Sequence, residues 1–254
     1  MSGRLDGRVA IVTGAAGGIG GGAARRFADE GALLALSDLN GPAVEAVAQE
    51  IRDKGGRAIA VRCDIAVPEQ IEAVVDATIQ EYGTVDILAN IAQGGLDEHH
   101  LLEDATSEEG LTAYRTGPLQ SMIFMQKCLP YMKERRYGRV INTASGAAVS
   151  PRPGFATYAM AKGAVMALTR VASQEWGQYG ITTNTFLPVG RSDAFNLTEQ
   201  GRAAAAMIES HSPLRRFGTP YDDVAPLLVF LASEEAGYIN GQAIGADGGI
   251  TFIA

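Results

Sequence analysis

Three residues in the second half of the chain could together move a proton on or off an alcohol oxygen. Tyr158 and Lys162 are four positions apart, so on a helix they lie on one face, one turn from each other. A tyrosine has an unperturbed pKa of about 10, and a neighbouring ammonium is expected to lower that pKa by favouring the phenolate. Ser145 could hydrogen-bond the same substrate oxygen. The predicted chemistry is proton transfer at an alcohol or ketone while a second group carries the hydride.

The same tyrosine–lysine spacing also arises by chance, as a core tyrosine beside a surface lysine, so its meaning depends on a glycine-rich turn near the amino terminus. Gly14, Gly18 and Gly20 follow an apolar run and have the spacing G-x3-G-x-G instead of G-x-G-x-x-G. Gly14 permits a tight turn, and we expect Gly18 and Gly20 to remove side chains between the backbone and a pyrophosphate. The next helix offers free N–H groups to an anion at its amino end. This segment predicts dinucleotide binding.

Polar residues at the ends of three predicted strands could complete the nucleotide site. Asp38 lies 18 residues after Gly20, where a carboxylate can bind an adenosine ribose and repel a 2′-phosphate. Because the glycine loop and positions 39–40 carry no Arg or Lys, NAD is predicted over NADP. Each residue also has a simpler interpretation: Asp38 could cap a turn, Asp64 could cap a turn instead of meeting the adenine amino group, and Asn90 could occupy a turn instead of binding the cofactor.

Short apolar runs alternate with longer amphipathic patterns through the whole chain. Strands are predicted over 9–13, 33–37, 58–62, 85–89, 139–143, 181–186 and from 243, with helices between them that include 20–30, 107–135, 156–179 and 222–233. This repeated β-α-β pattern predicts an α/β fold, a doubly wound parallel sheet with right-handed crossovers in one domain over residues 1–254. Ligands bind such sheets beyond the carboxyl ends of the strands, which is where the polar residues above lie.

Composition excludes several classes of function. The net charge is −8, which argues against nucleic acid or an anionic membrane as a partner. No apolar run reaches the roughly 18 residues of a membrane span. The two cysteines and three histidines have no ligand spacing, so no metal site is predicted. No secretory leader is recognised, and we expect a cytoplasmic protein.

These motifs together resemble the short-chain dehydrogenase/reductase family. The shared features are T-G-x3-G-x-G from Thr13, Ser145 with Y-x-x-x-K from Tyr158, and a late D-G-G at Asp247, so the resemblance covers nearly the whole chain. It implies a Rossmann-type fold, a homotetramer, and nicotinamide-dependent redox chemistry on an alcohol or carbonyl. It also implies that Tyr158 is the acid/base, that Ser145 orients the carbonyl, and that Lys162 binds the nicotinamide ribose and lowers the Tyr158 pKa. The predicted cofactor-binding set is Gly14, Gly18, Ile19, Gly20, Asp38, Asp64, Ile65, Asn90, Tyr158, Lys162 and Pro188.

The chain departs from the family pattern at positions expected near the nicotinamide or the proton relay. Gly117 stands where the family usually has an asparagine of the catalytic tetrad, and Gly117-Pro118 is expected to disturb the helix. Gln93 replaces a glycine, Val189 follows Pro188 in place of glycine, and Asp193 replaces a threonine that helps to hold the carboxamide. Three interpretations remain open: a working enzyme with a rearranged relay, a weakened enzyme, or a binding or regulatory protein that keeps its dinucleotide site. A cofactor-free lyase fits less well, since it would need neither the glycine loop nor the lysine.

The substrate is a small alcohol or ketone that the sequence does not identify. Its pocket is predicted from segments 93–102, 146–155 and 189–211, with a lid at about 189–212. Small residues along the helix that carries Tyr158, together with an apolar carboxyl terminus, predict contacts between copies of the chain.

Overall fold

A computed structural model describes residues 3–94, 100–190 and 199–252 of the 254-residue chain. Its centre is a seven-stranded sheet in which every neighbouring pair is parallel, with the order β3-β2-β1-β4-β5-β6-β7. The strands are β1 Val9–Thr13, β2 Leu33–Asp38, β3 Arg57–Arg62, β4 Ile87–Asn90, β5 Gly138–Thr143, β6 Ile181–Pro188 and β7 Ala243–Ala246. The order reverses between β1 and β4, which creates the crevice where such sheets bind ligands.

Helices cover both faces of this sheet. Their bounds are α1 Gly18–Asp29, α2 Gly41–Asp53, α3 Pro68–Tyr82, α4 Ser107–Tyr114, α5 Gln120–Arg135, α6 Ala156–Trp176, α7 Glu199–His211 and α8 Ala225–Ala232. One apolar cluster packs α1, α2 and α8 on one face, and a second packs α3, α5 and α6 on the other. All five residues of β1 are buried, as expected for a strand covered on both sides. The predicted doubly wound α/β fold is confirmed.

Local sequence signals explain where the helices begin and end. The Asn40 side chain accepts a hydrogen bond from the Ala43 N–H and caps α2. Thr106 and Glu109 form a capping box at the start of α4. Gly83 ends α3 with a φ of +79°, a left-handed conformation that glycine adopts without a steric penalty. Across the described ranges, no helix is long and apolar enough to cross a membrane.

The predicted helix over 107–135 is interrupted where the sequence places Gly117-Pro118. A π-helical turn over Arg115–Leu119 separates α4 from α5. Pro118 has no N–H to donate, and the Gln120 N–H bonds both the Arg115 and the Gly117 carbonyls. The expected disturbance of this helix is confirmed, and it leaves Gly117 buried. The predicted helix over 156–179 is α6 followed by a single 3₁₀ turn over Gly177–Tyr179.

Candidate active site

Ser145 and Tyr158 lie together beyond the carboxyl end of β5. Ser145 lies two residues after the end of β5, and Tyr158 lies in the first turn of α6, so the sheet and this helix bring the two hydroxyls together. The Ser145 hydroxyl lies near enough to the Tyr158 hydroxyl to act to lower its pKa. The Ser145 Oγ also accepts a hydrogen bond from the Ala147 N–H at 3.2 Å. The Ala147 N–H uses one lone pair of the serine oxygen. The serine O–H therefore stays available to donate a hydrogen bond to the tyrosine or to a substrate oxygen.

Lys162 is one helical turn after Tyr158 on α6 and is 97% buried, with a relative exposure of 3%. Its Nζ donates to the Thr143 carbonyl at 2.8 Å and lies 5.7 Å from the centroid of the Tyr158 ring. Burial lowers the Lys162 pKa to about 7, because the charged form loses solvation. An amine that titrates near neutral pH can both give and take a proton there.

The expectation that Lys162 lowers the Tyr158 pKa is wrong for this arrangement. Burial of the phenol raises the Tyr158 pKa, and only the hydrogen bond from Ser145 opposes that rise. The physical reason is that both groups are desolvated: Lys162 holds less positive charge near neutral pH, and its Nζ is directed to the Thr143 carbonyl. Tyr158 is therefore a neutral phenol at pH 7 and a proton donor.

The glycine loop joins β1 to α1 and is shaped for close backbone packing. Gly14 has a φ of +68°, and a Cβ there would lie 3.0 Å from the Ala92 Cα. A Cβ on Gly20 would lie 2.1 Å from the Gly14 carbonyl oxygen. Gly20 thus lets the helix pack on the turn, and its expected role beside a pyrophosphate stays a prediction. Gly18, at a φ of +53°, and Ile19 form the first residues of α1.

The amino end of α1 has the properties of an anion site. Its N-cap residue is Gly17, and no side chain of the described ranges caps it. The first turn carries no acidic residue, so N–H groups and the positive end of the helix dipole are available to an anion. This uncapped end, together with the glycine loop, fits the phosphates of a dinucleotide.

Asp38 stands beside that loop, where the sequence predicted a ribose contact. One carboxylate oxygen accepts from the Ala16 N–H at 3.1 Å, and the other from the Asn40 N–H at 2.9 Å. The turn-capping role and the ribose-binding role are therefore compatible, since each carboxylate oxygen can accept more than one hydrogen bond. The negative charge lies at the mouth of the glycine loop.

Other predicted cofactor contacts follow neighbouring strands. Asp64 caps its own turn by accepting from the Ala66 N–H at 2.9 Å, and Ile65 lies in that turn. Asn90 is 2% exposed, and its side-chain amide donates to the Asn142 Oδ1 at 2.8 Å. Pro188 ends β6. Their roles in cofactor binding remain predictions, as do those of the glycines, Asp38 and the catalytic residues.

Two hydrogen-bonding groups in the site were missed from the sequence. The Thr13 hydroxyl accepts from the Ile91 and Ala92 N–H groups at 2.9 and 3.0 Å, which ties the segment after β4 to the glycine loop. Asn142 links Asn90 to Thr169 of α6 through the sheet. Thr13 is the first residue of the T-G-x3-G-x-G motif, but the atoms that its hydroxyl contacts follow a different strand and carry no sequence signal.

Two of the departures from the family pattern, Gly117 and Gln93, meet at one place. A Cβ built on Gly117 would lie 3.4 Å from Nε2 and 3.6 Å from Oε1 of Gln93, so the glutamine amide lies against the bare backbone of the π-helical turn. Val189 follows β6, and its N–H donates to the Ala246 carbonyl at 3.0 Å. Asp193 and much of the predicted lid lie outside the described residues. The part of the predicted lid over 199–211 forms α7.

Comparison with known proteins agrees with this arrangement. The family described as "Enoyl-(Acyl carrier protein) reductase" matches residues 14–251. The 7alpha-hydroxysteroid dehydrogenase of Escherichia coli (strain K12) is 34% identical over 247 residues, which covers 97% of this chain and 95% of that protein. The 3-oxoacyl-(acyl-carrier-protein) reductase of Thermotoga maritima is 32% identical over 249 residues, covering 97% and 99%. The D-threitol dehydrogenase of Mycolicibacterium smegmatis is 34% identical over 253 residues, covering 98% and 94%.

Solved structures show the same likeness. A 7 alpha-hydroxysteroid dehydrogenase complexed with NADH and 7-oxo glycochenodeoxycholic acid superposes with a TM-score of 0.90 at 33% identity, covering 98% of this chain and 96% of that one. Levodione reductase gives a TM-score of 0.89 at 29% identity, with coverage of 96% and 97%. The parallel sheet, the glycine loop, the Ser145–Tyr158–Lys162 arrangement and these relatives lead to one conclusion: the chain belongs to the short-chain dehydrogenase/reductase family.

Proposed function

We propose that this protein is an NAD-dependent oxidoreductase that interconverts a secondary alcohol and a ketone, with Tyr158 as the acid/base. The single observation that carries the proposal is that Ser145 and Tyr158 meet beyond the carboxyl end of β5, with the buried Lys162 Nζ 5.7 Å from the centroid of the Tyr158 ring. Relatives that are dehydrogenases and reductases support oxidoreduction of an alcohol or carbonyl.

The chain's own residues account for the proton side of this reaction. A substrate carbonyl oxygen placed against the two hydroxyls would accept hydrogen bonds from Ser145 and Tyr158, which polarise the carbonyl. The raised pKa of Tyr158 keeps the phenol protonated, so it can give its proton to that oxygen during reduction. Lys162, with its pKa near 7, can return a proton towards the phenolate. A bound nicotinamide cofactor would supply the hydride chemistry.

The choice of NAD over NADP rests on Asp38. Its carboxylate faces the glycine loop through the Ala16 N–H, where it can accept from ribose hydroxyls and repel a 2′-phosphate. Gly14, Gly18 and Gly20 shape the loop, and Ile19, Asp64, Ile65, Asn90 and Pro188 complete the proposed cofactor site.

An alternative function is a catalytically impaired dinucleotide-binding relative with a binding or regulatory role. The observation that favours this alternative is the glycine at position 117, which supplies no side-chain amide where the family usually has an asparagine. Fluorescence titration with NADH and NADPH, followed by a panel of secondary alcohols and ketones, separates the two. The enzyme proposal expects tighter NADH binding and turnover of at least one panel member. Failure to bind either cofactor contradicts both, whereas tight NADH binding without turnover, unchanged in Tyr158→Phe, supports the alternative.

We further infer a homotetramer in the cytoplasm. Exposed or half-buried positions of α6 form a stripe of small and apolar residues, namely Met160, Gly163, Ala167 and Val171. A Cβ built on Gly163 would meet nothing within 4 Å, so a second helix could approach closely there. Both cysteines are free and buried, which suits a reducing compartment. Light scattering after size exclusion tests the tetramer, and a monomer would contradict it.

A further inference from the structure

The backbone of Gly146, directly after Ser145, packs closely against the segment that follows β7. A Cβ built on Gly146 would lie 2.5 Å from the Thr251 Oγ1, so the threonine hydroxyl occupies the space that a side chain at position 146 would need. Gly146 opens the 3₁₀ turn Gly146–Ala148 and is not left-handed, so other residues could adopt its conformation. The glycine is therefore required by the approach of Thr251 and not by the turn itself.

Asp247 holds Thr251 in this place. The buried carboxylate accepts a hydrogen bond from the Gly249 N–H at 3.0 Å through one oxygen and from the Thr251 N–H at 2.8 Å through the other. Gly248 and Gly249 have φ values of +68° and +84°, a left-handed conformation that turns the chain back on itself. Hydrogen bonds to a carboxylate are stronger than those between neutral groups. Residues 247–251, which we call the Asp247 turn, are therefore firmly held.

The Asp247 turn is supported on another side by the end of α7. A Cβ on Gly248 would lie 2.7 Å from the Ser212 Oγ, and this hydroxyl donates to the Gly248 carbonyl at 3.4 Å. Ser212 directly follows α7 and is 1% exposed. A Cβ on Gly249 would lie 3.4 Å from the Pro213 Cγ. Because of these contacts, the turn cannot move away from Gly146 without disturbing the residues after α7.

Ser145 depends on the 3₁₀ turn for the orientation of its side chain. Its Oγ accepts from the Ala147 N–H at 3.2 Å, and its carbonyl accepts from the Ala148 N–H at 3.0 Å. Both donors belong to the turn that begins at Gly146, so a displacement of Gly146 changes the position of the serine hydroxyl. Such displacements matter for catalysis, since a misplacement of about 1 Å can lower a rate by about 10²-fold.

We propose that Thr251 and Asp247 are positioning residues for Ser145. The Asp247 turn holds the 3₁₀ turn in the geometry in which the serine hydroxyl meets a substrate carbonyl. Both residues act through Gly146 and not on the substrate. This role rests on the proposed oxidoreductase function, in which Ser145 orients the carbonyl.

A pair of substitutions on the two sides of this contact tests the proposal. In Gly146→Ala, the new Cβ and the Thr251 hydroxyl must separate by about 0.9 Å, because ordinary contact begins at 3.4 Å and the built distance is 2.5 Å. With a panel ketone that turns over, kcat should fall by roughly 10–100-fold, while the NADH Kd stays that of the parent. Adding Thr251→Ala removes the colliding oxygen and leaves the Thr251 Cβ at 3.6 Å, so the double variant should return to the kcat of Thr251→Ala alone.

Two controls separate positioning from a general effect of substitution. Gly110→Ala makes the same change within α4, where the Cβ would lie 3.9 Å from its nearest neighbour, the Met160 Cε, and kcat should stay that of the parent. Asp247→Asn replaces one acceptor with a donor that faces a backbone N–H, so kcat should fall at an unchanged NADH Kd. The exposed Asp76→Asn is its matched control and should behave as the parent.

A Gly146→Ala protein with the kcat of the parent would overturn the proposal, even if its Tm is lower, since a merely structural contact gives that result. A loss of kcat that Thr251→Ala does not relieve would overturn it as well. If no panel member turns over, the oxidoreductase proposal fails, and crystal structures still decide the positioning role. The Ser145 Oγ should then lose its hydrogen bond from the Ala147 N–H in Gly146→Ala and regain it in the double variant. An unmoved Ser145 in Gly146→Ala would contradict the proposal.

Discussion

Gly20→Ala is predicted to disrupt the glycine loop by a backbone collision. The added Cβ would lie 2.1 Å from the Gly14 carbonyl oxygen and 3.0 Å from that of Thr13. Both partners are main-chain atoms, and Gly14 is itself held at a positive φ beside Ala92. No side-chain rotation can relieve this contact, so α1 must move away from the turn.

The size of the effect follows from this geometry. The contact is roughly 1 Å too short, and overpacking of this kind costs about 1–3 kcal/mol. The higher helix propensity of alanine returns about 1 kcal/mol. We take the upper end of the overpacking cost because backbone meets backbone, which leaves a net loss of about 2 kcal/mol and a fall in Tm of about 4–8 °C. NADH binding should also weaken, because the displacement of α1 moves its N–H groups out of the position that would hold the pyrophosphate.

Gly17→Ala is the matched control in the same loop. Gly17 has an extended φ of −177°, and a Cβ there would meet nothing within 4 Å. Its free energy of unfolding should change by less than about 1 kcal/mol. Urea unfolding and NADH fluorescence titration measure both variants. A Gly20→Ala protein with the parent's stability and NADH affinity would refute the reasoning, as would a Gly17→Ala protein that is equally destabilised.

Three further predictions concern charged residues. Asp38→Ala should weaken NADH binding by about 10–100-fold, the value of a hydrogen bond to a charged group, and raise the relative affinity for NADPH; an unchanged preference in parallel titrations would argue against the ribose contact. Lys162→Met should raise the free energy of unfolding most below pH 7, because the buried lysine has a folded pKa of about 7 and an ordinary pKa of 10.5. The gain in stability should shrink as the pH rises from 7 to 10.5. A difference in the free energy of unfolding that stays constant across pH, measured with urea, would contradict this prediction. The Arg216 guanidinium lowers the Asp223 pKa from 3.8 to about 2, so the ion pair stabilises the fold above pH 3.8 and this stabilisation is lost as the pH falls through 2. Asp223→Asn should therefore make the free energy of unfolding less dependent on pH in this acid range. An equally steep dependence in the variant would count against the ion pair.

The sequence predicted the architecture well because local signals agree with the global fold. Apolar runs and Pro or Gly boundaries predicted most of the elements to within a few residues; β4, for example, begins at Ile87 instead of Val85. The helix break at Gly117-Pro118 also follows from local chemistry, because proline lacks a donor and clashes with the preceding turn.

Properties that depend on three-dimensional surroundings were harder to predict. The sequence spacing of Tyr158 and Lys162 gives their proximity, but the direction of each pKa change depends on burial, which raises one and lowers the other. The collision that requires Gly20 involves a carbonyl six residues earlier in the turn. The contact between Gln93 and Gly117 joins segments 24 residues apart, and two separate departures from a family pattern proved to be neighbours.

The acid/base role of Tyr158 is tested by comparing the parent protein with Tyr158→Phe in NADH-dependent reduction of a ketone from the panel. We expect kcat to fall by about 10²–10⁴-fold in the variant, because the proton donor is lost, while the NADH Kd changes far less because the aromatic ring is kept. A Tyr158→Phe protein that reduces the same ketone at the rate of the parent would contradict the assignment of Tyr158 as the acid/base.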